Sequence, residues 1–159
     1  MTGLATSDPT RPLLYLEDLE VGQRFVTITH TIDEAQIVEF ARQFDPQPFH
    51  LDAVAAQETM FGGLAASGWH TAAITMRLFV NSGFNIAGGL IGVEVEVTWP
   101  RPTRAGDELH VEIEVASVTP SRSRPDRGSA TVRATTCNQR GEVLQVMTAK
   151  MIVPRRVPA

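Results

Sequence analysis

Gly68-Trp69-His70-Thr71-Ala72-Ala73-Ile74-Thr75-Met76-Arg77-Leu78-Phe79-Val80 is the stretch on which the fold turns. Trp69, Ala72, Ala73, Ile74, Met76, Leu78, Phe79 and Val80 leave it almost no polar side. The spacing therefore predicts a helix covered on most sides rather than one lying on a surface. Downstream of Gly88-Gly89 the period changes from helical to two. Ile91, Val93, Val95 and Val97 alternate with Gly92, Glu94, Glu96 and Thr98, and Leu109, Val111, Ile113 and Val115 alternate with His110, Glu112, Glu114 and Ala116. Two weaker strands follow, Ser129 to Cys137 and Glu142 to Val153, joined by a turn over residues 138–141. The last run does not hold one phase, which points to a bulge. Each long strand has one apolar face to offer, and the helix needs cover. A curved antiparallel sheet wrapped around Gly68–Val80 meets both demands, an α+β architecture.

Upstream, residues 1–12 mix Thr, Ser, Pro and Gly without periodicity and read as a loose tail, leaving 13–159 as one domain. A turn at Val21-Gly22-Gln23 leads into a short strand from Arg24 to Thr31. Thr31-Ile32-Asp33-Glu34 has the pattern of a capping box, with Thr31 as the cap. Ile37, Phe40, Ala41 and Phe44 then recur at helical spacing and give one buried stripe. Pro46 ends that helix by pushing Asp45 out of the α region. A short turn or helix follows over His50 to Gln57, then a bend at Gly62-Gly63.

The 159 residues are 43% hydrophobic and 20% charged, the balance of a soluble globular chain. No run approaches the roughly 20 consecutive apolar residues that span a bilayer. The N-terminal residues lack a basic start and an apolar core, so a cytoplasmic location is expected. Cys137 is the only cysteine, which excludes an internal disulfide and any multi-thiolate metal site. A net charge of −4 argues against nucleic-acid binding. The charge is uneven: residues 1–60 carry ten acids against three arginines, while the remainder is net basic and could meet a small anionic ligand.

The densest concentration of unusual residues is Phe44-Asp45-Pro46-Gln47-Pro48-Phe49-His50-Leu51-Asp52. Two prolines stiffen a loop that delivers an aspartate and a histidine five residues apart, and a held acid/base pair is what proton transfer requires. The same string also serves as a helix terminator with His50 capping the next turn, and the residues alone leave both readings open. At Ser67-Gly68 the first amides of the buried helix have no internal partner, and the helix dipole puts partial positive charge there. The Gly68 N–H could thus serve a carbonyl acquiring negative charge, although an ordinary N-cap by Ser67 explains the pair equally. His50, Asp52 and His70 lack metal-ligand spacing, so no metal is expected. Arg122, Arg124 and Arg127 form a basic loop between strands, either a solvated hairpin tip or a set of guanidinium groups suited to phosphates. Trp99 reads as a strand-end packing residue.

Asp45-x-x-Pro48-x-His50-x-Asp52, with Gly68 following the Phe61-Gly62-Gly63 bend, resembles the MaoC-like dehydratase and (R)-specific enoyl-CoA hydratase family. The resemblance runs from Leu16-Glu17-Asp18-Leu19-x-Val21-Gly22 through Pro100-x-x-x-x-x-Gly106-Asp107-Glu108-Leu109 to the final strands. It implies the hotdog fold and a site in which Asp45 activates a water for attack at C3 of an enoyl thioester. His50 would hold that water and share in proton transfer to C2, and the Gly68 amide would bind the thioester oxygen. Gln47 stands where the family commonly has asparagine, Ser67 where many relatives have histidine, and Met76 where hydratases often place a polar residue.

The resulting expectation is a hydro-lyase that uses no cofactor and acts on CoA or acyl-carrier-protein thioesters, hydrating trans-2-enoyl or dehydrating (R)-3-hydroxyacyl groups. Ser67 and Trp69 would border the substrate, and Arg122, Arg124 and Arg127 would meet CoA phosphates. A hotdog acyl-thioester hydrolase and a noncatalytic acyl-thioester-binding subunit are the alternatives. A single curved sheet leaves an unpaired edge, so a homodimer joined edge to edge, or an assembly of such dimers, is expected.

Overall fold

The computed structural model describes residues 10–156. Helix α1 (Glu34–Phe44) begins only after the chain has passed through Ile32, which is fully buried and pairs with the Gly106–Asp107 turn through Ile32 N–H to Asp107 O and Gly106 N–H to Ile32 O. That pairing keeps residues 30–32 extended. The cap is therefore Asp33, whose Oδ1 accepts from Gln36 N–H at 2.8 Å, and not Thr31, which closes strand β2 (His30–Thr31). The strand expected over Arg24 to Thr31 is accordingly split into β1 (Arg24–Val26) and β2. On α1, Ile37 and Ala41 are fully buried, but Phe44 at the end of the stripe is exposed. A single turn, α2 (Pro48–Leu51), and a 3-10 turn at Ala55–Glu58 follow.

Helix α3 spans Gly68–Val80, and β3 (Ile91–Thr98), β4 (Glu108–Pro120), β5 (Arg127–Cys137) and β6 (Val143–Pro154) complete the chain. The strands pair antiparallel in the order β1-β4-β5-β6-β3, with β2 also on β4. Extra residues at Val93, Ala116 and Leu144 shift the register and bend the sheet, the last of them in the run whose phase fails in the sequence. Leu109, Val111, Ile113 and Val115 of β4 and Ala130, Val132 and Ala134 of β5 pack beneath Ile74, Leu78 and Phe79 of α3. Burying each large aliphatic side chain contributes roughly 1.5–3 kcal/mol. The result is the curved sheet around one helix that the patterning implies.

Two expectations are corrected. Helix α3 is covered on one side only: His70, Thr71, Ile74, Thr75, Leu78 and Phe79 are buried, whereas Trp69, Ala73, Met76 and Val80 form an exposed stripe. Strand β3 has the alternation of a half-buried strand, but Ile91, Val93 and Val95 are 54%, 56% and 52% exposed. The reason is the same for both. β3 is the last strand of the sheet, so Val95, which pairs with the buried Ala149, projects beyond the reach of its own helix, while the extra residue at Val93 leaves Ile91, opposite Ile152, on the other face.

Residues 1–9 and 157–159 lie outside the described residues, so most of the expected tail does too. Arg11, within its final part, already donates to the Asn81 and Ser82 carbonyls at 2.6 and 2.8 Å. Among the described residues no helix is long and apolar enough to cross a membrane.

Candidate active site

Asp45 sits at the C-cap of α1, where its N–H still bonds to Ala41 O and its backbone (φ −152°, ψ 68°) has left the helix ahead of Pro46. Pro48 starts α2 with the φ that suits a first helical residue, and that turn carries His50 back towards Asp45. His50 Nε2 lies 3.3 Å from Asp45 Oδ2. The same oxygen accepts the Ser67 hydroxyl at 2.7 Å, and Oδ1 accepts Gln47 Nε2–H at 2.6 Å. His50 Nδ1 is 2.6 Å from Ala65 O, an atom that can only accept, so Nδ1 carries a proton and Nε2 faces the carboxylate. Burial raises the Asp45 carboxyl, but the hydrogen bonds from Ser67 and Gln47 and the charge of His50 outweigh it and hold the group below its ordinary 3.8.

Ser67 N-caps α3, its Oγ accepting from Trp69 N–H at 3.2 Å, and its carbonyl takes the His70 and Thr71 amides. The Gly68 N–H is left with no acceptor among the described residues. The glycine is required here by Trp99: a Cβ on Gly68 would stand 2.7 Å from the indole Cε2. Trp99 is itself pinned through Nε1–H to Gln145 Oε1 at 2.8 Å and stands edge-on to Trp69.

Asp45, His50, Gly68, Trp69 and Trp99 border one cavity of about 430 Å³, together with Phe49 and Phe61, whose rings lie beside His50. Asp45, His50 and Gly68, the first residue of α3, thus border one space. Ser67 is not a wall of this cavity; it orients Asp45 from behind. Asp52 Oδ1 accepts from the Val54 and Ala55 N–H groups at the start of the 3-10 turn.

Arg122, Arg124 and Arg127 are not brought to the cavity within one chain. They lie in the β4–β5 hairpin, with Arg127 bound to Asp126. Arg127 pairs with Pro154, whereas the end of β3 beside Trp99 pairs through Val146 to Thr135, eight residues and about 26 Å along β5.

Sequence reasoning missed three participants. Trp99 does pack at a strand end, but it also walls the cavity. Arg101 is the one arginine on the cavity lining and is exposed at its mouth. Arg104 donates to the carbonyls of Phe61, Gly63 (2.9 Å) and Leu64 (3.0 Å), fixing the loop that ends in Ala65, the acceptor for His50. The Pro-rich run at 100–102 is the only local signal for this wall.

His70 lies outside the cavity, stacked on Phe40 at 4.5 Å. Burial, with the nearby His30, pushes its pKa down to about 4, so its ring is neutral at ordinary pH. Among the described residues no group of three or more His, Cys, Asp or Glu side chains could hold a metal ion.

Residues 18–138 match the model of the MaoC-like domain. The chain belongs to the MaoC-like dehydratase family. Other MaoC-like proteins agree with that placement. It is similar to the MaoC-like dehydratase from Rhodospirillum rubrum, with a TM-score of 0.89 and 60% identity over 91% of this chain and 99% of that one. It is 31% identical to the 3-hydroxybutyryl-CoA dehydratase of Methylorubrum extorquens over 95% of this chain and 91% of that protein. The (R)-hydratase from A. caviae involved in PHA biosynthesis superposes with a TM-score of 0.71 at 26% identity, covering 87% of this chain and 99% of that one. The MaoC-like fold is the hotdog: an α+β domain with a curved antiparallel sheet around the central helix α3.

Proposed function

We propose that this MaoC-like protein is a hydro-lyase that reversibly hydrates trans-2-enoyl thioesters of CoA or an acyl carrier protein to (R)-3-hydroxyacyl thioesters. The observation that carries the reading is the Asp45–His50 pair, 3.3 Å apart, sharing a cavity with the unpartnered Gly68 amide. The similarity to a 3-hydroxybutyryl-CoA dehydratase and to an (R)-hydratase supports it.

In the hydration direction Asp45 takes a proton from water as the water oxygen bonds to C3. The C2=C3 electron pair moves towards the thioester oxygen, where the Gly68 N–H and the positive end of α3 meet the growing charge. The proton that Asp45 has taken passes across the 3.3 Å contact to His50 Nε2 and from there to C2. Ala65 O holds the imidazole by Nδ1 throughout. Water is consumed whole, and both side chains end as they began.

The test is a screen of crotonyl-CoA and longer enoyl-CoAs against their saturated counterparts. Bleaching of the conjugated thioester absorbance is expected, without thiol release from saturated chains. Thiol release alone would replace the proposal with a thioester hydrolase, and tight binding without turnover would replace it with a carrier subunit.

The working unit in this reading is a homodimer. Val95 of β3 and Trp69, Ala73, Met76 and Val80 of α3 are exposed apolar side chains, and among the described residues β3 pairs on one side only. Antiparallel pairing of two β3 edges brings the Arg122–Arg127 hairpin of one protomer to the end of β3 that carries the other's cavity. Only there could Arg122, Arg124 and Arg127 join Arg101 in meeting CoA phosphates. Sedimentation at micromolar concentration is expected to give twice the chain mass, and a monomer would remove this arrangement.

A further inference from the structure

The cavity has a wet mouth and a dry end. Gln47, Trp69, Pro100, Arg101 and Pro102 on its lining are exposed, Ala66, Thr71 and Thr103 are buried, and Trp99, 41% exposed, reaches inward through Nε1–H to the buried Gln145. A thioester carries its charged, hydrated arm on one side of the carbonyl and its acyl chain on the other. The arm stays at the mouth, so the chain runs to the dry end.

That end is closed by side-chain hydrogen bonds. The Thr71 and Thr103 hydroxyls meet at 2.9 Å and tie α3 to the loop before β4. Behind them Gln145 accepts from Trp99 Nε1–H at 2.8 Å and donates to Thr75 Oγ1 at 3.0 Å, and Thr75 meets Thr136 at 2.6 Å. Thr75, Thr136 and Gln145 expose no surface at all. An alkyl chain pushed between α3 and the sheet would break these bonds and offer none in return, leaving buried polar groups unpaired. Trp99 cannot swing aside without losing the Gln145 bond and its packing on Gly68.

We infer that the Thr71–Thr103 latch and the Trp99–Gln145–Thr75 wedge form a stop that confines this site to short acyl chains, with Trp99 as the specificity-determining residue. The inference rests on the acyl-thioester reading of the cavity given above and names the class of substrate it takes.

The full chain and two variants, Trp99→Leu and Thr103→Ala, are compared on crotonyl-CoA and trans-2-octenoyl-CoA for kcat/KM, and on butyryl-CoA and octanoyl-CoA for Kd by calorimetry. Because one methylene in a fitted pocket is worth about tenfold or more, the parent chain should favour crotonyl over octenoyl by at least about tenfold. Trp99→Leu should cut that ratio by about tenfold, chiefly through KM for octenoyl-CoA, and shift the Kd ratio the same way. Should Trp99→Leu not fold, Thr103→Ala, which leaves the indole in place, is expected to move both ratios in the same direction. A parent chain that takes octenoyl-CoA as readily as crotonyl-CoA overturns the stop, as do folded variants with unchanged ratios. Absence of hydration with a Kd ratio that still responds to Trp99→Leu would overturn the hydro-lyase reading and uphold the stop.

Discussion

Asp45→Asn is expected to lower kcat for crotonyl-CoA hydration by on the order of 10³-fold, within the range that a positioned general base contributes. The amide is the size of the carboxylate and can still accept from Gln47 Nε2–H. Its NH₂ can face the Ser67 hydroxyl, which turns to accept, so the loop keeps its shape and melting at neutral pH falls only by the stability that the depressed carboxyl contributes. What is lost is the site for the water's proton. His50→Ala should cost a similar factor, and the double variant little more than either alone, because the two groups act on one proton circuit. The acid limb of the pH profile is a second readout. Activity requires the ionised carboxylate, and Asp45 is held below 3.8, so protonation of this group removes activity only below that pH. Ser67→Ala deletes the hydrogen bond that lowers the group most and should move the limb to higher pH. The linked effect on folding has the same sign: a depressed carboxyl adds stability above its unfolded value, and that stability is lost as pH falls through the folded one. Parent-like rates in Asp45→Asn would end the proposed mechanism.

Gly68→Ala is expected to damage both the fold and the site. Replacing glycine by alanine in a helix ordinarily gains up to about 1 kcal/mol. Here the added methyl stands 2.7 and 2.9 Å from two atoms of an indole that is tied to Gln145 and cannot retreat cheaply. Overpacking of this kind costs roughly 1–3 kcal/mol, so destabilisation wins. The amide that receives the thioester oxygen also shifts, and a displacement near 1 Å costs about 10²-fold in rate. Thermal unfolding and kcat/KM measure the two effects separately. Trp99→Phe in the Gly68→Ala background should restore part of the stability, since residues in contact couple. If Gly68→Ala proved more stable than the parent chain, the close approach of Trp99 would have no energetic weight.

Much of this was legible in the residue order. The bounds of α3 follow from its apolar run and the Ser67-Gly68 start, and the β4 core residues from strict alternation. The Asp45–His50 string leaves both a helix-terminator and an acid/base reading open, and only its resemblance to the MaoC-like pattern singles out the second. What was not legible depends on distant neighbours. Thr31 lost the cap to Asp33 because Ile32 is claimed by a turn more than seventy residues away. β3 looks half-buried in sequence because periodicity reports a face, not the presence of something to cover it. The Arg122–Arg127 loop has the composition of a phosphate site, but its place is set by the length and register of β5. Arg104 has no sequence signature at all, because its partners are main-chain oxygens.

That last feature bears on how such a site can diversify. Arg104 reads the carbonyls of residues 61, 63 and 64 and none of their side chains. Substitutions along this flap can therefore retailor the rim of the pocket while its backbone path, and the perch it provides for the imidazole, is inherited unchanged.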